Sequence, residues 1–161
     1  MFKNTIFLLI LSLAITSCKK SVDPIVCTYT ESTLVAPASE IAYLQAWVTT
    51  NRPLAIQHSS GIFYEIVAPG TGTVTPAPCK TITVKYTGWL LNGVQFDQNL
   101  LGVQFVLGGL IVGWQKGVPL IKKGGTIYLY VPPTLAYGSG GTPTIPPNSY
   151  IKFSIELVDV Q

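Results

Sequence analysis

The spacing of apolar residues changes at Gly61. Before Gly61 the clearest pattern is helical. In SEIAYLQAWVTTN (39–51), Ile41, Leu44 and Val48 recur at helical spacing with Trp47 beside them, and Asn51, Arg52 and Pro53 end the run. A helix with one apolar stripe does not stand alone in water, so it docks on the domain or on a partner. After Gly61 the period drops to two. IFYEIV is short and rich in strand formers, and PGTG closes it. In KTITVKYTGWL, Ile82, Val84 and Tyr86 share one face while Thr81, Thr83 and Lys85 take the other. Asn92-Gly93 suits the tight turn that matches strand twist, and VQFVLG follows. GTIYLYV sets Ile127, Leu129 and Val131 on one side, and YIKFSIELVDV sets Ile151, Phe153, Ile155 and Leu157 together.

One helix interrupts these strands. In GLIVGWQKGVP, Ile111, Trp114 and Val118 lie one above another, and Gly117 and Pro119 stop the run. The expected fold class is therefore α+β, a mostly antiparallel sheet with one short helix across its face, preceded by a short N-terminal helix. The Gly- and Pro-rich stretch AYGSGGTPTIPPNS (136–149) is long enough to be a functional loop.

The first residues do not belong to this pattern. MFKNTIFLLILSLAITSC carries Lys3, an apolar run from Ile6 to Ile15 and small residues before Cys18. That order reads as a secretory signal peptide. Its end, AITSC, resembles the bacterial lipobox, in which the cysteine is acylated and becomes the new first residue. The expected organisation is a signal peptide at 1–17, a lipidated tether at 18–38, a short helix and linker at 39–59, and one domain at 60–161. The implied location is the bacterial cell envelope, lipid-anchored, at the outer membrane. Export would place Cys27 and Cys79 where pairing is allowed. Their wide separation and lack of a CxxC spacing argue against a redox motif or zinc site. A disulfide is the favoured reading, with two unpaired thiols as the alternative.

Composition narrows the function. Charged residues make up 11% of the 161-residue chain and its net charge is +3, with the basic residues scattered, so no basic stripe suggests nucleic acid. The single histidine, His58, sits in the linker as HSS, without a nucleophile elbow or an acid in register. No metal-ligand cluster is visible, and GSGGT lacks the lysine of a phosphate loop. No cofactor or metal is implied. One feature exceeds what a plain core hairpin needs: VKYTGWLLNGVQFD gathers Tyr86, Trp89 and Phe96 beside a carboxylate, Asp97.

The ordered set YTG…L.NG..FD, F.LG…I.GW..GV, VPP.LAYG and IPPNS.I.F.IEL resembles the FKBP-type peptidyl-prolyl cis-trans isomerases over roughly residues 60–160. The resemblance implies an antiparallel sheet wrapped around a short helix, with a proline-binding pocket between them. It implies Tyr86 and Phe96 as pocket walls, Asp97 as the pocket's acid, and Leu110 and Ile111 at the rim. Trp114 becomes the floor under the proline ring, and Tyr137 donates its hydroxyl to a substrate carbonyl. Ile145 sits on the flap, and Phe153 comes from the last strand. Its partners would be Xaa-Pro segments of unfolded or folding polypeptides, with the membrane reached through the lipid anchor, and the chain acting as a monomer.

This chain also departs from the family. The stretch between Phe96 and Phe105 is expected to be a short loop. Family members commonly carry an arginine there that pairs with the acid, and an aromatic residue where Val103 stands. No Lys or Arg occurs between Lys85 and Lys116, so Asp97 is expected to rely on the Tyr86 or Tyr137 hydroxyls. Two other classes stay open beside the enzyme: a weak or inactive module that holds proline-containing segments as a chaperone, and a structural lipoprotein of the envelope.

Overall fold

The computed structural model describes residues 26–161. The expected signal peptide and the lipidation site Cys18 lie outside the described residues. Among those described, helix α1 covers Ala38–Asn51 and α2 Val112–Gly117. The strands are β1 Ile56–Gln57, β2 Phe63–Ala68, β3 Thr81–Leu90, β4 Gln95–Val106, β5 Thr126–Val131 and β6 Ile151–Val160. They form a single antiparallel sheet in the order β1-β2-β5-β6-β3-β4. The longest pairing joins β3 to β6, from Ile82 opposite Val160 to Leu90 opposite Ile151.

The alternation read from the sequence decides which face is buried. Ile82, Val84, Ile127, Leu129, Val131, Ile151, Phe153, Ile155 and Leu157 all enter the main core with Trp114 and Val118. Each such aliphatic side chain contributes about 1.5–3 kcal/mol through apolar burial. Helix α2 lies on this face. A Cβ built on Gly113 would come within 2.5 Å of Val131, so the helix can approach β5 this closely only with glycine there.

Helix α1 packs on the opposite face. Leu44 and Val48 form a second, smaller core with Phe63 and Tyr130, which are register partners across β2 and β5. Leu129 and Tyr130 are neighbours on β5 and so point to opposite sides of the sheet. The N-terminal helix thus docks on the domain itself. The Tyr130 hydroxyl is buried without a hydrogen-bond partner among the described residues, and burial pushes this phenol up to about 12. Glu40, in the first turn of α1, accepts hydrogen bonds from the Thr134 amide at 3.0 Å and the Thr134 hydroxyl at 2.7 Å. This ties α1 to the 3-10 turn Pro133–Leu135.

Three expectations change. The short loop expected between Phe96 and Phe105 is strand: β4 runs through it. The register moves from Val84 opposite Val103 to Tyr86 opposite Asn99, so β4 carries extra residues in a bulge. Asn99 caps this bulge, its side-chain oxygen accepting from the Leu101 amide at 3.1 Å and the Gly102 amide at 2.9 Å. Gly102 turns there with φ +105°, a conformation L side chains resist. The linker after α1 contains β1, which pairs with β2 through Ile56–Tyr64 and Gln57–Phe63. The described part of the tether, although irregular, lies against the domain: Ala36 is buried and its amide donates to Ser60 O at 2.9 Å.

Cys27 and Cys79 are joined as a disulfide, with Cα atoms 5.7 Å apart. His58 and Ser60 form a local polar turn, the Ser60 amide donating to Nδ1 at 3.1 Å. Among the described residues no helix is long and apolar enough to cross a membrane.

Candidate active site

The site grows from Trp114. Its indole is 4% exposed and is met edge-on by rings from three strands. Tyr86 of β3 stands 5.2 Å away at 83°, Phe153 of β6 at 5.2 Å and 89°, and Phe105 of β4 at 6.3 Å and 86°. Perpendicular rings at these spacings are favourable, each pair contributing about 0.5–1.5 kcal/mol beyond its buried area. The result is a fixed aromatic cup with the indole at its base.

Register explains the assembly. Gly88 pairs with Phe153 on one side and with Asp97 on the other. A Cβ at Gly88 would sit 2.6 Å from the Phe96 ring and 2.8 Å from the Phe153 ring. Its absence lets Phe96 close edge-on against Phe153, 5.6 Å between centroids at 90°.

Above the cup is a cavity of about 330 Å³, at the small end of ligand sites, which run from about 300 to 1,000 Å³. Tyr86, Phe105, Trp114 and Phe153 form its aromatic lining, and Gly109, Leu110 and Ile111 edge it. Asp97 and Tyr137 bring its polar atoms. That volume suits one small apolar ring with its flanking backbone. Seven of the nine expected pocket residues border it: Asp97, Tyr137, Tyr86, Leu110, Ile111, Trp114 and Phe153. Phe96 is not among the lining residues and packs edge-on against Phe153, while Ile145, on the same loop as Tyr137, is buried in the main core.

Two lining residues escaped the sequence reading, Phe105 and Gly109. Phe105 lies opposite Ile82 in register and so shares its core-facing side. That pairing was the available signal, hidden by the expectation of a loop before it. Gly109 has no side chain and gives no chemical signal.

The polar groups follow the expectation for an acid without an arginine. The Tyr86 hydroxyl donates to Asp97 Oδ2 at 2.6 Å, and the Gln98 amide donates to Oδ1 at 2.8 Å. Burial first, then the Asp97 hydrogen bond and charge, holds the Tyr86 phenol well above the usual tyrosine range. Tyr137 is also raised, by burial and then by the Asp97 charge. Both phenols therefore stay protonated at neutral pH, and Tyr86 has committed its proton to Asp97. Tyr137 is left as the phenol at the cavity able to donate elsewhere. Among the described residues no group of three His, Cys, Asp or Glu side chains could hold a metal ion.

A six-stranded antiparallel sheet is thus crossed by a short helix, with an indole-floored aromatic cavity between them. The profile of the FKBP-type peptidyl-prolyl cis-trans isomerases matches residues 72–158, and the chain belongs to that family. It is 44% identical over 106 residues to the FKBP-type peptidyl-prolyl cis-trans isomerase FkpA of Escherichia coli, a match that takes in 64% of this chain and 39% of that protein. The chain thus spans less than half the length of that relative. It is 39% identical to a peptidyl-prolyl cis-trans isomerase of Schizosaccharomyces pombe, covering 62% of this chain and 95% of that one. The crystal structure of Escherichia coli FkpA superposes with a TM-score of 0.69 at 38% identity, over 77% of this chain and 58% of that one. A peptidyl-prolyl cis-trans isomerase from Pseudomonas syringae pv. tomato superposes with a TM-score of 0.68 at 28% identity, over 78% and 97% of the two chains.

Proposed function

We propose that the chain is a peptidyl-prolyl cis-trans isomerase that accelerates Xaa-Pro rotation in unfolded or folding polypeptides. The observation that carries this is the cup of rings around Trp114, opening into a cavity bordered by Tyr137 and Asp97. An Xaa-Pro amide rotates over a barrier of ~18–20 kcal/mol because twisting breaks its resonance. The twisted amide is less polar than the planar one, so a dry aromatic cavity binds it better than water does. Preference for that twisted state lowers the barrier. In this site the proline ring rests on Trp114 between Tyr86 and Phe153, and the Tyr137 hydroxyl donates to a backbone carbonyl of the substrate. Asp97 orients Tyr86 and sets the local field. No nucleophile, metal or cofactor takes part in a rotation of this kind.

The alternative is a module that holds proline-containing segments without turning them over. Peptide titration and cis-trans exchange of the same Xaa-Pro peptide separate the two. Faster exchange supports the enzyme; saturable binding with exchange at the uncatalysed rate, tens to hundreds of seconds, supports the holding module.

The organisation of the N-terminus belongs to the same proposal. Acylation of Cys18 would hold residues 18–38 as a tether at the outer membrane, with the isomerase domain at 60–161 meeting exported chains as they fold. Lys3, the apolar run from Ile6 to Ile15 and the small residues before Cys18 support this. One acyl chain binds a membrane only marginally, so stable anchoring needs more than one. Cys18→Ala should release the protein into the soluble fraction or stall its processing; unchanged fractionation and processing would remove the anchor.

A further inference from the structure

The cavity has one weakly built side. Gly109 and Leu110 border it; Gly109 follows Gly108 in the 3-10 turn Leu107–Gly109, and Leu110 caps that turn. Two adjacent glycines, Gly108 and Gly109, give this wall more backbone freedom than residues with side chains would. From inside, Gln115 of α2 restrains it, donating through Nε2 to Gly108 O at 3.2 Å and Leu110 O at 2.7 Å. From outside, the restraint comes from the N-terminal segment. A Cβ built on Gly108 would meet Tyr29 Cβ and Cγ at 2.5 Å, and one on Gly109 would meet the Tyr29 hydroxyl at 3.2 Å. The Tyr29 side chain therefore lies across both glycines.

That segment is itself fastened along its length. The Cys27–Cys79 bridge holds one end, and Pro78, next to Cys79, accepts the Gly108 amide at 2.7 Å. Glu31 pairs with Lys116 of α2 at 2.8 Å, the lysine side chain being 12% exposed. The Ala36 amide closes the other end on Ser60 O. The bridge, the Tyr29 ring and the pocket wall thus form one connected path.

We propose that residues 26–36 are a strap that positions the Gly109–Leu110 wall of the proline cavity, with Tyr29 as the positioning residue. The strap keeps the wall in its binding geometry before substrate arrives, so the substrate does not have to order it. Tyr29 never touches the reacting amide; it acts through the glycines. This deepens the isomerase reading and rests on it.

The test uses the folded chain with Tyr29→Ala and Tyr29→Phe, and a second route to the same loss, Cys27→Ser with Cys79→Ser. Tyr29 is 47% exposed, so its truncation leaves the core intact. Two readouts are taken: amide hydrogen exchange at Gly108 and Leu110, and KM against kcat on an Xaa-Pro peptide. Tyr29→Ala should speed exchange at those two amides while leaving Leu129 and Phe153 unchanged. It should raise KM about three- to tenfold with a smaller change in kcat. Tyr29→Phe keeps the ring and should restore both, and the paired serine variant should raise KM as Tyr29→Ala does, although loss of the bridge also lowers global stability and speeds sheet exchange. Wild-type exchange and KM in Tyr29→Ala would overturn the proposal, as would faster exchange throughout the sheet in Tyr29→Ala, failure of Tyr29→Phe to rescue, or a wild-type KM in the serine variant. If the wild type shows no turnover, the isomerase reading falls, and the exchange data alone decide whether the strap holds the wall.

Discussion

The Tyr86 hydroxyl and the Asp97 carboxylate, neighbours across the β3–β4 pairing, share a 2.6 Å hydrogen bond at the edge of the cavity. Asp97 is solvent-exposed, so it keeps its hydration on one side while binding Tyr86 on the other. The bond orients a ring that meets both Trp114 and Phe153. Tyr86→Phe should lower kcat/KM by a few-fold to about tenfold, as a hydrogen bond of about 0.5–1.5 kcal/mol implies. Asp97→Asn should do the same, and the double variant should lose much less than the two losses added. Full additivity would show that the pair does not act as a unit.

The raised phenols make an alkaline prediction. A group whose folded pKa exceeds its unfolded value contributes stability that is fully present below the unfolded value, about 10 for tyrosine. That contribution is lost as pH rises through the folded values. Tyr86, Tyr137 and Tyr130 all shift upward, chiefly through burial. Tyrosinate absorbance should therefore show a late-titrating group of phenols, and denaturation midpoints should fall only above about pH 10. Tyrosines that all titrate together in the ordinary range would contradict this.

Glu40 and Thr134 make the third test. Their paired hydrogen bonds fasten α1 to the turn that precedes Tyr137. Glu40→Ala should lower stability by about 1–2 kcal/mol, read as a lower urea midpoint with an unchanged slope. An unmoved midpoint would show that α1 is held by its apolar face alone.

The bridge between Cys27 and Cys79 closes a stretch with a sequence separation of 52, worth about 4 kcal/mol by chain-entropy reasoning. Thiol labelling of the denatured, unreduced protein should find neither cysteine. Quantitative labelling of both would rule the bridge out.

Most of the strands and both helices were legible because alternation and helical spacing report burial directly: Ile127, Leu129 and Val131 read as one face and lie in one core. The site was legible mainly through its family motifs, since Tyr86, Trp114 and Phe153 individually look like core residues. What escaped depended on pairing between distant segments. β4 reads as two pieces with a loop because its bulge at Asn99–Gly102 breaks the alternation, and this hid Phe105. The seat of α1 on Phe63 and Tyr130 depends on which face of β5 the main core leaves free. The path of residues 26–36 follows from a disulfide, an ion pair and a ring over two glycines, none of which leaves a periodic trace.

Catalysis in the Trp114 cavity is tested most directly by cis-trans exchange of one Xaa-Pro peptide, measured for wild type, Trp114→Leu and Tyr137→Phe with circular dichroism as the control for folding. Wild type should accelerate exchange. Trp114→Leu removes the floor and should weaken peptide binding, since the indole presents a large apolar surface. Tyr137→Phe keeps the ring, loses one hydroxyl and should slow exchange by a few-fold to about tenfold. Folded variants that both turn the peptide over at the wild-type rate would show that catalysis does not take place in the Trp114 cavity.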